Sequence, residues 1–110
     1  MITVAETREF IRRSDGLFSQ EDKDALVLYL ACHPEAGDLI RETGGLRKLR
    51  WGAGGKGKRG GARIVYYFHS DRMPLYLLTV YGKGDKADLS VNQRRDLCQL
   101  SHLLRKANGL

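Results

Sequence analysis

The chain is poor in the residues that usually announce a site. Only two cysteines occur, Cys32 and Cys98, 66 positions apart, with two prolines and a single tryptophan in 110 residues. Small secreted domains carry more cysteine, and metal centres need closer ligand clusters. Both thiols are therefore expected to be reduced and to sit in the core. The three histidines, His33, His69 and His102, are equally scattered. They form no ligand spacing with cysteines or carboxylates, so no metal or other cofactor is expected. Only a His69–His102 pair assembled by the fold would offer imidazole chemistry. No stretch approaches the ~20 apolar residues of a membrane span. The start, Met1-Ile2-Thr3-Val4-Ala5-Glu6, lacks the basic-then-apolar order of a signal peptide. A single domain over 1–110, cytoplasmic and without membrane contact, is the expectation.

Acidic residues are missing from one place in particular. Between Thr43 and Ser70 there is none, while Arg47, Lys48, Arg50, Lys56, Lys58, Arg59 and Arg63 contribute seven positive charges. The other 12 basic residues are balanced by all 13 acidic ones, so the net charge of +6 comes entirely from this central quarter. Like charges held close repel, and ordinary surfaces mix signs. Concentrated basicity points to a polyanionic partner, nucleic acid before anionic membrane.

Apolar spacing gives the order of elements. Residues 2–5 read as a strand and 6–13 as a short helix, broken at Ser14-Asp15-Gly16. Ser19, followed by Gln20-Glu21-Asp22, opens a helix that Pro34 ends. Asp22 and Asp24 fit that helix start better than a catalytic pair. Residues 37–45 read as loop with a short extended piece. Leu46–Trp51, Ala62–His69 and Leu75–Lys83 read as three strands of an antiparallel meander. Ser90-Val91-Asn92-Gln93 is a capping box for a last helix, with Leu97, Leu100 and Leu104 on its inner face. The predicted class is α+β, a small antiparallel β-sheet packed against N-terminal and C-terminal helices.

Alternation along strands assigns faces. Lys48 and Arg50 share one face of their strand, with Leu49 and Trp51 on the other. Arg63, Val65 and Tyr67 fall together, as do Leu75, Leu77, Thr79, Tyr81 and Lys83. A sheet with helices on its inner face would thus gather Lys48, Arg50, Arg63, Tyr81 and Lys83 on its open one. Tyr67 and Tyr81 are the aromatic rings expected beside them, where stacking on unpaired bases accompanies cationic contacts. The segment Gly55-Lys56-Gly57-Lys58-Arg59-Gly60 matches a dinucleotide fingerprint, and Gly52 through Lys58 matches part of a phosphate loop. Each motif needs a helix to follow, and here a strand follows. What remains is a glycine-rich hairpin loop carrying three cations.

The runs Gly44-Gly45-Leu46-Arg47-Lys48-Leu49-Arg50-Trp51 and Gly55 through Tyr67 resemble the RelE superfamily of toxins, in particular its HigB-like branch. Leu77-Leu78-Thr79-Val80-Tyr81-Gly82-Lys83, followed by Lys86-Ala87-Asp88-Leu89-Ser90, looks like the same family. The resemblance implies a RelE-like fold and the toxin of a type II toxin–antitoxin pair. Such a toxin is a ribosome-dependent endoribonuclease that cuts mRNA in the ribosomal A site and inhibits translation. It further implies a cognate antitoxin, commonly with a helix-turn-helix domain, and operator DNA contacted only through that complex. Lys48, Arg50 and Arg63 match basic strand positions of the family, and Lys83 and Lys86 fall near its last basic position. Better-known members place a tyrosine beyond that point; here no tyrosine follows Tyr81.

RNA brings its own nucleophile, the 2′-hydroxyl, so alignment and charge stabilisation at phosphorus carry most of the chemistry. Metal-independent transesterification is therefore the expected reaction. Lys48 is the candidate base, because crowded like charges favour loss of a lysine proton. Arg50 and Arg63 would stabilise the phosphorane, and Lys83 or Tyr81 would assist the leaving group. Arg47, Lys56, Lys58, Arg59, Tyr67 and Lys86 would position RNA. A non-catalytic RNA- or DNA-binding module accounts equally well for the charge and the aromatic residues. An inert partner-binding protein accounts for them less well.

Overall fold

Hydroxyl caps begin the helices, at Ser19 and Ser90 as the sequence predicts and at Thr7 in addition. A computed structural model describes residues 1–52, 61–82 and 89–110. They form β1 (Val4–Glu6), α1 (Arg8–Ser14), α2 (Gln20–Cys32), β2 (Asp38–Leu39), β3 (Leu46–Trp51), β4 (Ala62–Tyr67), β5 (Leu75–Tyr81) and α3 (Val91–Ala107). The Thr7 hydroxyl accepts from the Phe10 amide, Ser19 from Asp22 and Ser90 from Gln93, satisfying amides that have no partner inside the helix. Ser90 and Gln93 complete the reciprocal box, the Ser90 amide donating to the Gln93 side chain at 2.9 Å. α2 stops at Cys32, two positions before Pro34.

The strands order as β1-β5-β4-β3-β2. β3, β4 and β5 are the expected meander, and the short piece at Asp38–Leu39 adds antiparallel to β3. β1 departs from expectation. It pairs parallel with β5, Val4 against Leu75, so the sheet is mixed rather than wholly antiparallel. No tight turn joins these two strands, and only a tight turn would impose opposite directions.

A bulge interrupts β5. Val65 faces Thr79 but the next residue, Tyr66, faces Leu77, leaving Leu78 as the extra residue. Leu75 and Leu77 therefore point to one face while Thr79 and Tyr81 point to the other, correcting the uniform alternation read from sequence. The Thr7 hydroxyl donates to the Leu77 and Leu78 carbonyls at 2.8 and 3.1 Å, fastening the bulge to the start of α1.

Each face of the sheet has its own core. On one, Phe10 of α1 and Leu26 and Leu30 of α2 pack on Leu49, Ile64, Tyr66, Leu75, Leu77 and Val80. Fully burying each such side chain contributes about 1.5–3 kcal/mol, which holds α1 and α2 to the sheet. On the other face, Leu97, Leu100 and Leu104 of α3 pack with Leu46, Val65, Tyr67, Leu78 and Tyr81. Helices thus flank both faces, so neither is wholly open. The thiols are not core groups. Cys32 is exposed, because Leu26 and Leu30 take the inner side of α2, and Cys98 is half-buried beside the inward Leu97.

Candidate functional site

Register brings the central cations into rows. Arg50 of β3 faces Arg63 of β4, which faces Tyr81 of β5. One step along, Lys48 faces Val65, which faces Thr79. Opposed residues on one face lie roughly 5 Å apart at their Cα atoms, so three cations share one small area. The bulge makes this possible, since without it Tyr81 would point away from Arg63. Arg50 is exposed, and Lys48 and Arg63 are half-buried.

Like charges directly opposite on a sheet destabilise it, by roughly 0.2–1 kcal/mol. Among the described residues no carboxylate pairs with Arg50 or Arg63; the ion pairs are Arg13–Glu9, Lys23–Glu6 and Arg47–Glu35. One Arg63 nitrogen donates to the Gly61 carbonyl at 3.3 Å. Gly61 is required where it stands, since a Cβ there would run into the Trp51 carbonyl across the hairpin. Two forked guanidinium groups side by side suit the non-bridging oxygens of a phosphodiester.

Three expected site residues are placed elsewhere or covered. Arg47 lies on the opposite face from Lys48 and Arg50, as strand alternation requires. One of its nitrogens donates to the Glu35 carbonyl at 3.2 Å and the Gly37 carbonyl at 2.8 Å, and another pairs with the Glu35 carboxylate at 3.5 Å. It holds the segment entering β2 and is not part of the cationic row. Tyr67 is on the expected face yet only 3% exposed, because α3 covers that end of the sheet. Tyr81 borders the row but is 8% exposed, its ring in the same core. Neither ring lies open for stacking. Lys56, Lys58, Arg59, Lys83 and Lys86, with the glycine-rich loop, lie outside the described residues.

Tyr66, opposite Arg47 on the β3–β4 ladder, fastens the same segment. Its hydroxyl donates to the Pro34 carbonyl at 2.9 Å and accepts from the Gly37 amide at 2.8 Å. Burial pushes its pKa above the ordinary tyrosine value, and the Gly37 hydrogen bond partly offsets this. A Cβ at Gly37 would lie 2.8 Å from the Tyr66 ring, so glycine is needed for the approach.

The histidines bond locally. His69 meets Ser70 at 3.0 Å, and His102 meets Arg105 at 3.4 Å. Among the described residues no group of three or more His, Cys, Asp or Glu is placed to hold a metal ion. A second cationic feature was not visible in the sequence. A groove of about 470 Å³ between α3 and the turn after β2 is lined by Arg41, Glu42, Arg94, Arg95, Cys98 and His102, with Val91 and Gln99. Its arginines come from segments more than 50 positions apart, which composition along the chain averages away.

No protein-family model matches the chain. No helix among the described residues is long and apolar enough to cross a membrane.

Proposed function

We propose that this chain is a RelE-superfamily toxin of the HigB-like branch, with a RelE-like fold. It would act in the cytoplasm as a ribosome-dependent endoribonuclease, held in check by a cognate antitoxin. The observation that carries the reading is the Arg50–Arg63 pair. Two arginines held opposite each other, without a carboxylate between them among the described residues, are poised for an anion bearing charge on two oxygens.

The chemistry follows from that arrangement. The 2′-hydroxyl attacks the adjacent phosphorus, the P–O5′ bond breaks, and a 2′,3′-cyclic phosphate and a 5′-hydroxyl result. Charge grows on the non-bridging oxygens in the transition state, where Arg50 and Arg63 hold it. Lys48, one rung away on the same face, is the nearest candidate on that strand to take the 2′-hydroxyl proton. Tyr81 or Lys83 is the candidate to protonate the leaving oxygen. Lys56, Lys58, Arg59 and Lys86 would add backbone contacts to messenger and ribosome.

The test is mRNA cleavage in a translating extract, with the ends mapped and ribosomes then withdrawn. Scission that needs ribosomes and disappears in Arg63→Ala supports the proposal. Intact cleavage by Arg63→Ala overturns the site. Salt-sensitive RNA binding with no scission would make the chain a non-catalytic binding module instead.

A further inference from the structure

Behind the cationic row, on the opposite face of the sheet, lies a set of aromatic rings that the proposed chemistry does not use. Tyr29 is central: its ring centroid is 5.3 Å from that of Trp51, tilted 41°, and 5.0 Å from that of His33, tilted 44°. Tyr29 and His33 are one helical turn apart at the end of α2, and Trp51 ends β3. Tyr29 and Trp51 are half-buried and His33 is exposed. A hollow of about 420 Å³ opens against Tyr29, His33, Pro34, Glu35 and Ala36.

Tyr29 and Trp51 pack against the edge of the core, and Tyr29 and His33 also border open space. Trp51 adjoins Arg50 in sequence and precedes Lys56 by five positions. We infer that the Trp51–Tyr29–His33 ladder and the hollow beside it form a stacking platform for one unpaired nucleobase of the bound RNA. This deepens the proposed function and rests on RNA being the ligand.

Every base offers a π-face, so stacking gives affinity with little sequence choice. Glu35 adds choice. Its carboxylate is 71% exposed and meets Arg47 at 3.5 Å, and Glu35 also lines the hollow, so acceptor capacity remains beside it. A carboxylate accepts from an exocyclic amine, which adenine and cytosine carry and uracil lacks. The platform therefore favours an amine-bearing base over uracil.

Trp51 is the sole tryptophan, so its fluorescence reports on the platform directly. The full chain is titrated with oligoriboadenylate, oligouridylate and inorganic polyphosphate, the last supplying charge without bases. Oligoriboadenylate is expected to quench Trp51 and to bind about tenfold tighter than oligouridylate. Polyphosphate should bind without quenching. His33→Ala and the space-filling Tyr29→Leu should each weaken oligoriboadenylate about fivefold and leave polyphosphate binding unchanged. Glu35→Gln should erase the preference for adenine over uracil.

Quenching by polyphosphate, or unchanged oligoriboadenylate affinity in folded His33→Ala and Tyr29→Leu, overturns the platform. Messenger cleavage that proceeds while no oligoribonucleotide quenches Trp51 overturns the platform and leaves the nuclease reading standing. Absence of both RNA binding and cleavage overturns the two together.

Discussion

Arg50 faces Arg63 directly across the β3–β4 ladder, and Tyr81 of β5 completes the row. The pairing opposes stability and favours an anionic ligand, so the two properties should separate on mutation. Arg50→Gln is expected to raise stability by up to about 1 kcal/mol in urea unfolding, through relief of repulsion. In the same variant mRNA cleavage should fall about 10²–10³-fold. Loss of both stability and cleavage would make Arg50 a structural residue.

Arg47 and Arg50, three positions apart, should behave oppositely. Arg47→Ala removes two hydrogen bonds to the Glu35 and Gly37 carbonyls and should cost about 1–3 kcal/mol. RNA affinity should change much less than in Arg50→Ala. Glu35→Gln, at the exposed end of the ion pair, should cost no more than about 1 kcal/mol. Paired denaturation and binding measurements on these variants check the assignment of Arg47 to the fold.

Tyr66 gives a pH signature. Its pKa lies above the ordinary value of 10.0, so the folded chain keeps the phenol proton where the unfolded chain has released it. The associated stability is fully present below about pH 10 and is lost as pH rises through the folded-state value. Tyr66→Phe should lower stability near neutrality by about 1–3 kcal/mol, leaving the Gly37 amide and Pro34 carbonyl without their partner. The alkaline fall in stability should be shallower in the variant. Equal alkaline slopes in urea unfolding would exclude Tyr66 as their source.

Thr7 joins three parts of the site's support, capping α1 and donating to both carbonyls at the β5 bulge. Thr7→Val keeps the shape and removes those bonds, at a cost of about 1–3 kcal/mol. Amide exchange in β5 should accelerate, and cleavage should fall because the bulge sets the facing of Thr79 and Tyr81. Thr7→Ser should restore both. A Thr7→Val protein with native β5 protection would remove the bulge from the argument.

Much of the scaffold was legible because it is local. Ser19 and Ser90 announce their helices through side chains that bond amides three residues on, and Leu46–Trp51 alternates cleanly enough to give its bounds. Lys48, Arg50 and Arg63 reached one face because a hairpin with regular pairing preserves alternation. Three features were hidden because they depend on distant segments. The bulge at Leu78 has no local sequence mark. The burial of Tyr67 is decided by α3, and the attachment of Arg47 by the turn at Glu35–Gly37. The Arg41–Arg95 groove was invisible for the same reason.

The parallel contact of Val4–Glu6 with Leu75–Leu77 also sets a temporal order. During synthesis the earliest strand must wait for one translated 71 positions later before the sheet can close at that edge. Contacts this distant along a chain slow folding, since a long loop must be closed first. Thr7 can reach the Leu77 and Leu78 carbonyls only then, so the fastening of the bulge waits on the most distant closure in the sheet.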